Sequence, residues 1–384
     1  MNSTETPDDM NRSTRRRLGL VGVLGLALGA LTLGLSSSVL AQNAWSPNKP
    51  IRMVIPYPPG GATDVAARAL VMKLGDALGQ PMVPDNKAGA NGMIASELVF
   101  NAPADGYTVL MATADTNSIN PNVFSKMSYV ARDFRGVAPV AKVNFMLVAR
   151  PGLKANTLSE LVALAKGSEL TYASWGVGST SQVAMEMFKA KADVKILHVP
   201  YQGAAPAFQA IMAGQVDVMM APASIVIPAL SKVKAFGIAS PQRFAGTTVP
   251  TLTEQGYAVD ADAWVGLLAP PKTPQAAIDH IYKQVNAVTA DPEMKKRLQD
   301  IGLSSFSPAM TQEQFHNYMV AEIDRWVRSF ATPGFAWTTE AGGGLRSQAL
   351  DEASSFSQRS PNPAARSSIN PPCGAAKCAG SMRV

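Results

Sequence analysis

A chain of 384 residues, 47% hydrophobic and 16% charged, is long enough for two or three domains and has the composition of a globular protein. Its formal charge of +6 invites a polyanion partner, but residues 42–330 carry 25 basic against 22 acidic residues, so no nucleic-acid partner is expected. Cys373 and Cys378 both lie near the C-terminus and His198, His280 and His316 show no ligand spacing, so neither a metal nor any other cofactor is expected.

Residues 1–41 read as an export signal. Arg12, Arg15, Arg16 and Arg17 precede an uncharged run from Leu18 to Leu35, and Ser36 to Ala41 supplies a small-residue cleavage region. Cleavage after Ala41 is expected, by a Sec or a twin-arginine route, which places the mature protein in the periplasm. No cysteine closely follows the run, so a lipoprotein anchor is not expected.

The stretch Ile51 to Asp64, IRMVIPYPPGGATD, has the pattern of a buried strand that ends near Pro56, a glycine turn at Gly60 and Gly61, and a helix start. Thr63 or Asp64 is placed to cap a helix beginning at Val65. Free N–H groups and the positive end of a helix dipole meet in such a turn, an arrangement suited to an anion. It is neither GxGxxG nor GxxxxGK[ST], so a nucleotide is not indicated.

Apolar residues at helical spacing run from Val65 to Leu78, with Gly79 placed to end the helix. Met82 and Val83 begin a second strand, which leads through a second glycine-rich turn, Asn86 to Gly92, into a helix over Met93 to Phe100. Tyr107 to Ala112 predicts a third strand, and the polar loop Thr113 to Asn120 after it can turn Asn117 and Asn120 to the same rim. Strands alternating with helices predict an α/β domain with a parallel sheet.

From about Val143 the pattern restarts. Phe145 to Ala149 and Leu170 to Ser174 read as strands, with a helix over Ser159 to Lys166 between them whose start carries Thr157 and Glu160 in capping-box register. The loop Trp175 to Gln182 has Gly176 and Gly178 before a second such box, Ser179 with Gln182, and forms a third anion-competent helix start. Further strands are expected at Lys195 to Val199, Val216 to Met220, Phe236 to Ala239 and Trp264 to Ala269, with a helix from Ala204 to Ala213. Helices then follow over Pro274 to Ala290, Pro292 to Ile301 and Thr311 to Phe330. Residues 331–384 are rich in Gly, Ser, Ala, Pro and Arg without a period and read as a disordered tail.

The ordered strings IPYPPGGATD, AGANG, NAPADGYTVLMAT, SWGVGSTSQ, VPYQGAAPAFQAIMAGQVD and VPTLTEQGY resemble the Bug receptors, the TctC-like periplasmic solute-binding proteins of tripartite tricarboxylate transporters. The resemblance covers about Pro50 to Phe330. It implies an α/β fold of the two-domain periplasmic-binding-protein type, a type II-like Venus flytrap with two interdomain crossovers. Domain 1 would comprise residues 46–143 and 268–330, and domain 2 residues 144–267. A small carboxylate-bearing solute would be enclosed between them and delivered to the permease subunits of a tripartite tricarboxylate transporter. Service to a periplasmic sensor kinase is the alternative. The family normally ends soon after its last helix, which makes residues 331–384 a disordered or aberrant ending.

Carried over position by position, the resemblance implies first-domain contacts at Tyr57, Pro59, Gly60, Gly61 and Thr63 and at Gly89, Asn91 and Gly92. The second-domain contacts fall on Gly176, Gly178, Ser179 and Thr180, with Tyr201 on the adjacent loop. Asp64 would repel a carboxylate and suits the first helical turn, becoming a contact for a solute that carries an amine. No enzyme is expected, because Ser179 lies in GVGST and not in a G-x-S-x-G elbow and has no His or Lys at a motif position beside it.

Overall fold

The computed structural model describes residues 45–330 apart from 245 and 246. The expected export signal and tail lie outside the described residues.

Eleven strands among the described residues form two sheets. The first contains β1 (Ile51–Ile55), β2 (Met82–Asn86), β3 (Thr108–Thr113), β4 (Arg135–Val143), β10 (Ala263–Ala269) and β11 (Leu303–Ser304), in the order β11-β4-β10-β3-β1-β2. The second contains β5 (Phe145–Ala149), β6 (Leu170–Ser174), β7 (Ile196–Pro200), β8 (Val218–Pro222) and β9 (Lys234–Ile238), in the order β7-β6-β8-β5-β9. The chain passes between the sheets twice, through Asn144 and again through residues 239–262.

The all-parallel sheet expected from the βα alternation is not what forms. β1 is parallel to β2 and β3, but β10 pairs antiparallel with both β3 and β4, and β5 pairs antiparallel with β8 and β9. The reason is the return crossing: β10 comes back from the second sheet and inserts between β3 and β4, matching Val265 to Thr113 and to Ala141. The whole of β10, Ala263 onward, therefore lies in the first sheet, and a boundary at residue 267 would divide it.

The strand Arg135–Val143 escapes sequence patterning because Pro139 interrupts it. It is accommodated by a register shift between Val265 and Gly266, the latter facing Pro139. Gly266 is required there for a second reason: a Cβ on it would run into the Phe315 ring.

Helix α1 (Ala62–Leu78) packs Leu70, Leu74 and Leu78 inward and ends at Gly79 in the left-handed conformation, φ 68°. Helices α2 (Met93–Phe100), α4 (Leu158–Gly167), α5 (Thr180–Ala192), α6 (Ala204–Met212), α8 (Gln275–Ala290), α9 (Pro292–Asp300) and α10 (Gln312–Phe330) cover the sheets; α3 (Asn120–Val123) and α7 (Ala223–Val226) are single turns. The expected polar loop after β3 is instead a buried π-helical turn, Asp115–Ile119, that continues into α3. Thr113 and Thr116 exchange hydrogen bonds at its start, which lets polar residues occupy a buried position.

Both crossings are pinned. Asn144 donates its amide to the Gly302 carbonyl (3.2 Å) and the Ser304 hydroxyl (2.8 Å), while its own carbonyl accepts from Ala223 N–H (2.8 Å). In the return segment Ala261 N–H reaches the Ala239 carbonyl (3.1 Å). No helix among the described residues is long and apolar enough to cross a membrane.

Candidate functional site: a cleft between the sheets

The two sheets face each other across a partly open cleft whose empty space, its mouth included, is about 450 Å³. Its first-sheet wall includes Tyr57, Gly61, Ala62 and Thr63 from the β1–α1 turn, with Thr113 and Asp115 after β3 and Trp264 on β10. Phe145, Trp175, Thr180, Ala204 and Pro222 close it from the second sheet. Most of these surfaces are apolar, and polar groups are confined to a few positions.

The β1–α1 turn offers free donors. Helix α1 begins at Ala62, earlier than the residue pattern indicates, and Gly61 at its N-cap gives no side-chain cap. The N–H groups of Gly61, Ala62 and Thr63 therefore have no intrahelical partner, as at any uncapped helix start, and they border the cleft. Neither Thr63 nor Asp64 is the cap. Asp64 is buried in the first turn, where it accepts from Gly60 N–H (3.0 Å), Arg68 Nε (3.0 Å) and Asn86 Nδ2 (3.0 Å). Burial alone would raise its pKa, but these bonds outweigh burial and hold the carboxyl below its ordinary value. Asp64 thus keeps a compensated charge and occupies the Gly60 N–H.

The α5 start is different: the N–H groups of Gly176, Gly178, Ser179 and Thr180 are already used. Gly176 N–H goes to Ser174 Oγ (3.1 Å), Gly178 N–H to Gln182 Oε1 (2.8 Å) and Ser179 N–H to the Gly176 carbonyl (3.2 Å). Ser179 Oγ accepts from Gln182 N–H (3.3 Å), so the expected box forms, with the Gln182 side chain returning to Gly178 and not to Ser179 itself. Thr180 N–H reaches Asp115 Oδ1 (3.0 Å), and the Thr180 hydroxyl donates to the same oxygen. A carboxylate from the first-sheet side thus takes up the Thr180 donors of this expected half-site.

Asp115 is the residue that the sequence reading missed. Besides Thr180 it accepts from Trp175 Nε1 (2.7 Å) and Tyr57 Oη (3.0 Å), both on Oδ2. Burial raises its pKa above the ordinary value in spite of those bonds. Burial, then the Asp115 charge, also pushes the Tyr57 phenol well up, so Tyr57 remains a donor. Across from this cage the Trp264 indole N–H, fully buried on the cleft wall, has no hydrogen-bond partner among the described residues.

Of the residues singled out in the sequence, Tyr57, Gly61, Thr63 and Thr180 line the cleft. Pro59 and Gly60 are exposed at its rim, where a Cβ on Gly60 would stand 3.9 Å from Ala205 of the opposite wall. Asn91 Nδ2 donates to Asn120 Oδ1 (2.8 Å), and Asn120 returns a bond to the Asn91 carbonyl (3.0 Å). Gly89 and Gly92 adopt positive φ on either side of that pair, 134° and 82°, and Gly92 is packed under Pro56 and Thr116. Gly176 and Gly178 carry positive φ, and Gly178 touches the first-sheet side through Val123, Phe124 and Asn91. Tyr201 is tied by its N–H to the Ser174 carbonyl (2.9 Å) and does not line the cleft. Asn117, expected at the rim, is buried and accepts from the Thr116 hydroxyl (2.8 Å).

No cluster of His, Cys, Asp or Glu able to hold a metal occurs among the described residues. His198 is held between Ser174 Oγ (2.6 Å) and Gln182 Nε2 (3.3 Å) and stacks on Tyr172. Burial, aided by Lys189, lowers its pKa to about 4, so the ring is neutral.

Two α/β lobes joined by two crossings, with a mostly apolar cleft and a free helix N-terminus between them, have the architecture of a two-lobe solute-binding protein. The family profile of the tripartite tricarboxylate transporter family receptor matches residues 66–331, and the chain belongs to that family. Its members are substrate-binding receptors and not enzymes. Among solved structures, Rpa4515 of R. palustris with adipate is 28% identical with a TM-score of 0.73, covering 76% of this chain and 99% of that one. MatC from Rhodopseudomonas palustris with bound malate is 30% identical, TM-score 0.69, over 74% of this chain and 99% of MatC. The periplasmic binding protein BugD is 29% identical, TM-score 0.71, over 75% and 99%.

Proposed function

We propose that this protein is a periplasmic receptor that captures a small carboxylate-bearing solute between two domains and presents the closed complex to a tripartite tricarboxylate-type permease. The observation that carries this reading is the uncapped start of α1: the N–H groups of Gly61, Ala62 and Thr63 open on an apolar cleft without a partner of their own. A helix N-terminus with neutral donors holds a carboxylate by charge-assisted hydrogen bonds and avoids burying an Arg or Lys beside it. Adipate in Rpa4515 and malate in MatC are solutes of this chemical class.

In this reading the domains follow the sheets, residues 46–143 with 263–330 forming one and 145–262 the other. Tyr57, Gly61 and Thr63 hold the solute, Pro59 and Gly60 form the rim, and the turns containing Gly89, Asn91 and Gly92 and Gly176 to Thr180 bring the domains together. Closure is a rigid-body hinge about the two crossings.

Thermal unfolding of the purified protein against a library of small carboxylates tests the proposal. A bound acid at 100 times its dissociation constant adds about 2.7 kcal/mol of stability. A shift with one or a few acids is expected. No shift with any acid, together with no acid released from denatured protein, contradicts the receptor reading.

A further inference from the structure

The carboxylate of Asp115 holds the Thr180 N–H and hydroxyl at the start of α5. Its two oxygens accept four hydrogen bonds, from Thr180 N–H, the Thr180 hydroxyl, Trp175 Nε1 and Tyr57 Oη. Four is about the full acceptor capacity of a carboxylate. The donors come from both sides of the cleft: Tyr57 is on the first-sheet side, Trp175 and Thr180 on the second. No Lys, Arg or His among the described residues is bonded to Asp115, so its charge has donors but no counter-ion. A buried charge without an opposite charge is costly, and two carboxylates in direct contact cannot both ionise.

The cleft is therefore asymmetric. At one end α1 presents free N–H groups and the Thr63 hydroxyl, with the unpartnered Trp264 indole on the wall. At the other end the N–H groups of Ser179 and Thr180 are bonded within the chain, and the Asp115 carboxylate lies on the cleft wall. A solute that suits both ends carries one carboxylate and, at its far end, a positive charge.

We propose that Asp115 is a specificity-determining residue that selects solutes bearing one carboxylate, docked at α1, and a protonated amine directed toward Asp115, and that it disfavours dicarboxylates. The proposal rests on the carboxylate-receptor reading and narrows it to the amino-acid-like class. The amine supplies the missing counter-ion through its charge, since the four internal bonds already take up the Asp115 lone pairs.

The test is calorimetric titration of the full protein at pH 7.5 with two matched sets of acids. Butyrate, 4-aminobutyrate and succinate form one set; hexanoate, 6-aminohexanoate and adipate form the other. Within each set only the far end changes. In at least one set the wild-type protein is expected to bind the amino acid tenfold or more tighter than the dicarboxylate. Asp115→Asn is expected to shrink that ratio at least tenfold; the ratio is the readout because Asp115 also ties Tyr57 to Thr180 across the cleft. A wild-type protein that binds the dicarboxylates as tightly as the amino acids overturns the proposal whether or not the variant folds, and leaves the receptor reading standing. So does a folded Asp115→Asn with an unchanged ratio. Absence of binding by all six acids overturns the assignment to Asp115 and leaves the receptor reading to the wider carboxylate library.

Discussion

Helices α1 and α5 both start at glycine-rich turns after a strand and both point at the cleft, yet they do opposite things. The α1 start has no cap and keeps its N–H groups free, whereas every N–H of the α5 turn named above has a partner and the Thr180 N–H is held by Asp115. A glycine-rich helix start thus establishes the capacity to bind an anion, and the rest of the fold decides whether that capacity remains for a ligand. In this protein one helix start keeps its donors free, and the other makes an internal contact between the lobes.

The largest expected effect tests how firmly α5 belongs to that internal contact. Trp326 on α10, with Ile119 and Val123, packs against Val183 of α5 in a small core that spans the two sheets' elements. Trp326→Ala is expected to lower unfolding stability by about 3–5 kcal/mol in chemical denaturation, the usual result of emptying a large aromatic site. A loss under 1 kcal/mol would mean that α5 is not anchored there.

Next is the fit of the lobes. A Cβ on Gly178 would meet Val123 Cγ1 at 3.1 Å and Phe124 Cε2 at 3.2 Å, and Gly178 has φ 77°. Gly178→Phe wedges the α5 start away from the first sheet, and Gly60→Phe does the same at the rim opposite Ala205. Both are expected to weaken solute binding at least about 100-fold in calorimetry, equivalent to about 2.7 kcal/mol, with the far-UV spectrum unchanged. Near-wild-type affinity in both variants would remove these turns from the site.

The free half is probed by Thr63→Val, which keeps shape and removes one hydroxyl beside the α1 donors. About a tenfold loss of affinity is expected, the size of one charge-assisted hydrogen bond. No change would place the carboxylate elsewhere.

The smallest effect concerns the return crossing. Burial, then the charge of Asp260, raises the pKa of Asp262 to about 6 in the folded protein, above its ordinary value of 3.8. The folded state thus binds more protons than the unfolded one, and stability from this group is present below pH 3.8 and is lost as pH rises through 6. Asp262→Asn is expected to stabilise the protein at pH 7.5 by about 1 kcal/mol, allowing for its partial exposure, and to do so less at pH 4. Equal effects at both pH values would show that Asp262 does not titrate in this way. His198 has the opposite sign: its pKa is lowered to about 4, so its contribution is full above pH 6.5 and declines as pH falls toward 4.

Much of this was legible in the chain, because much of it is local. The β1–turn–α1 unit, the two capping boxes at Thr157 and Ser179, and Gly79 as a helix stop depend on residues within a few positions of one another. The features that were not legible are joined across long sequence separations. Asp115 meets its donors on Thr180 across the cleft, 65 residues on. β10 enters the first sheet after the chain has built the second, which no local pattern encodes. β4 was hidden by Pro139, whose cost is absorbed by a register shift in its partner strand. Asp64 reads in the sequence as a charge at a helix start, and only the fold brings it to Gly60, Arg68 and Asn86, which compensate that charge.

The most direct test is a crystal structure of the protein with 6-aminohexanoate. The solute carboxylate is expected on the N–H groups of Gly61, Ala62 and Thr63, with the ammonium toward Asp115 and the Asp115–Thr180 bonds intact. A solute carboxylate bound to Thr180 N–H, with Asp115 turned out of its cage, would contradict the division of the cleft into a free half and a filled one.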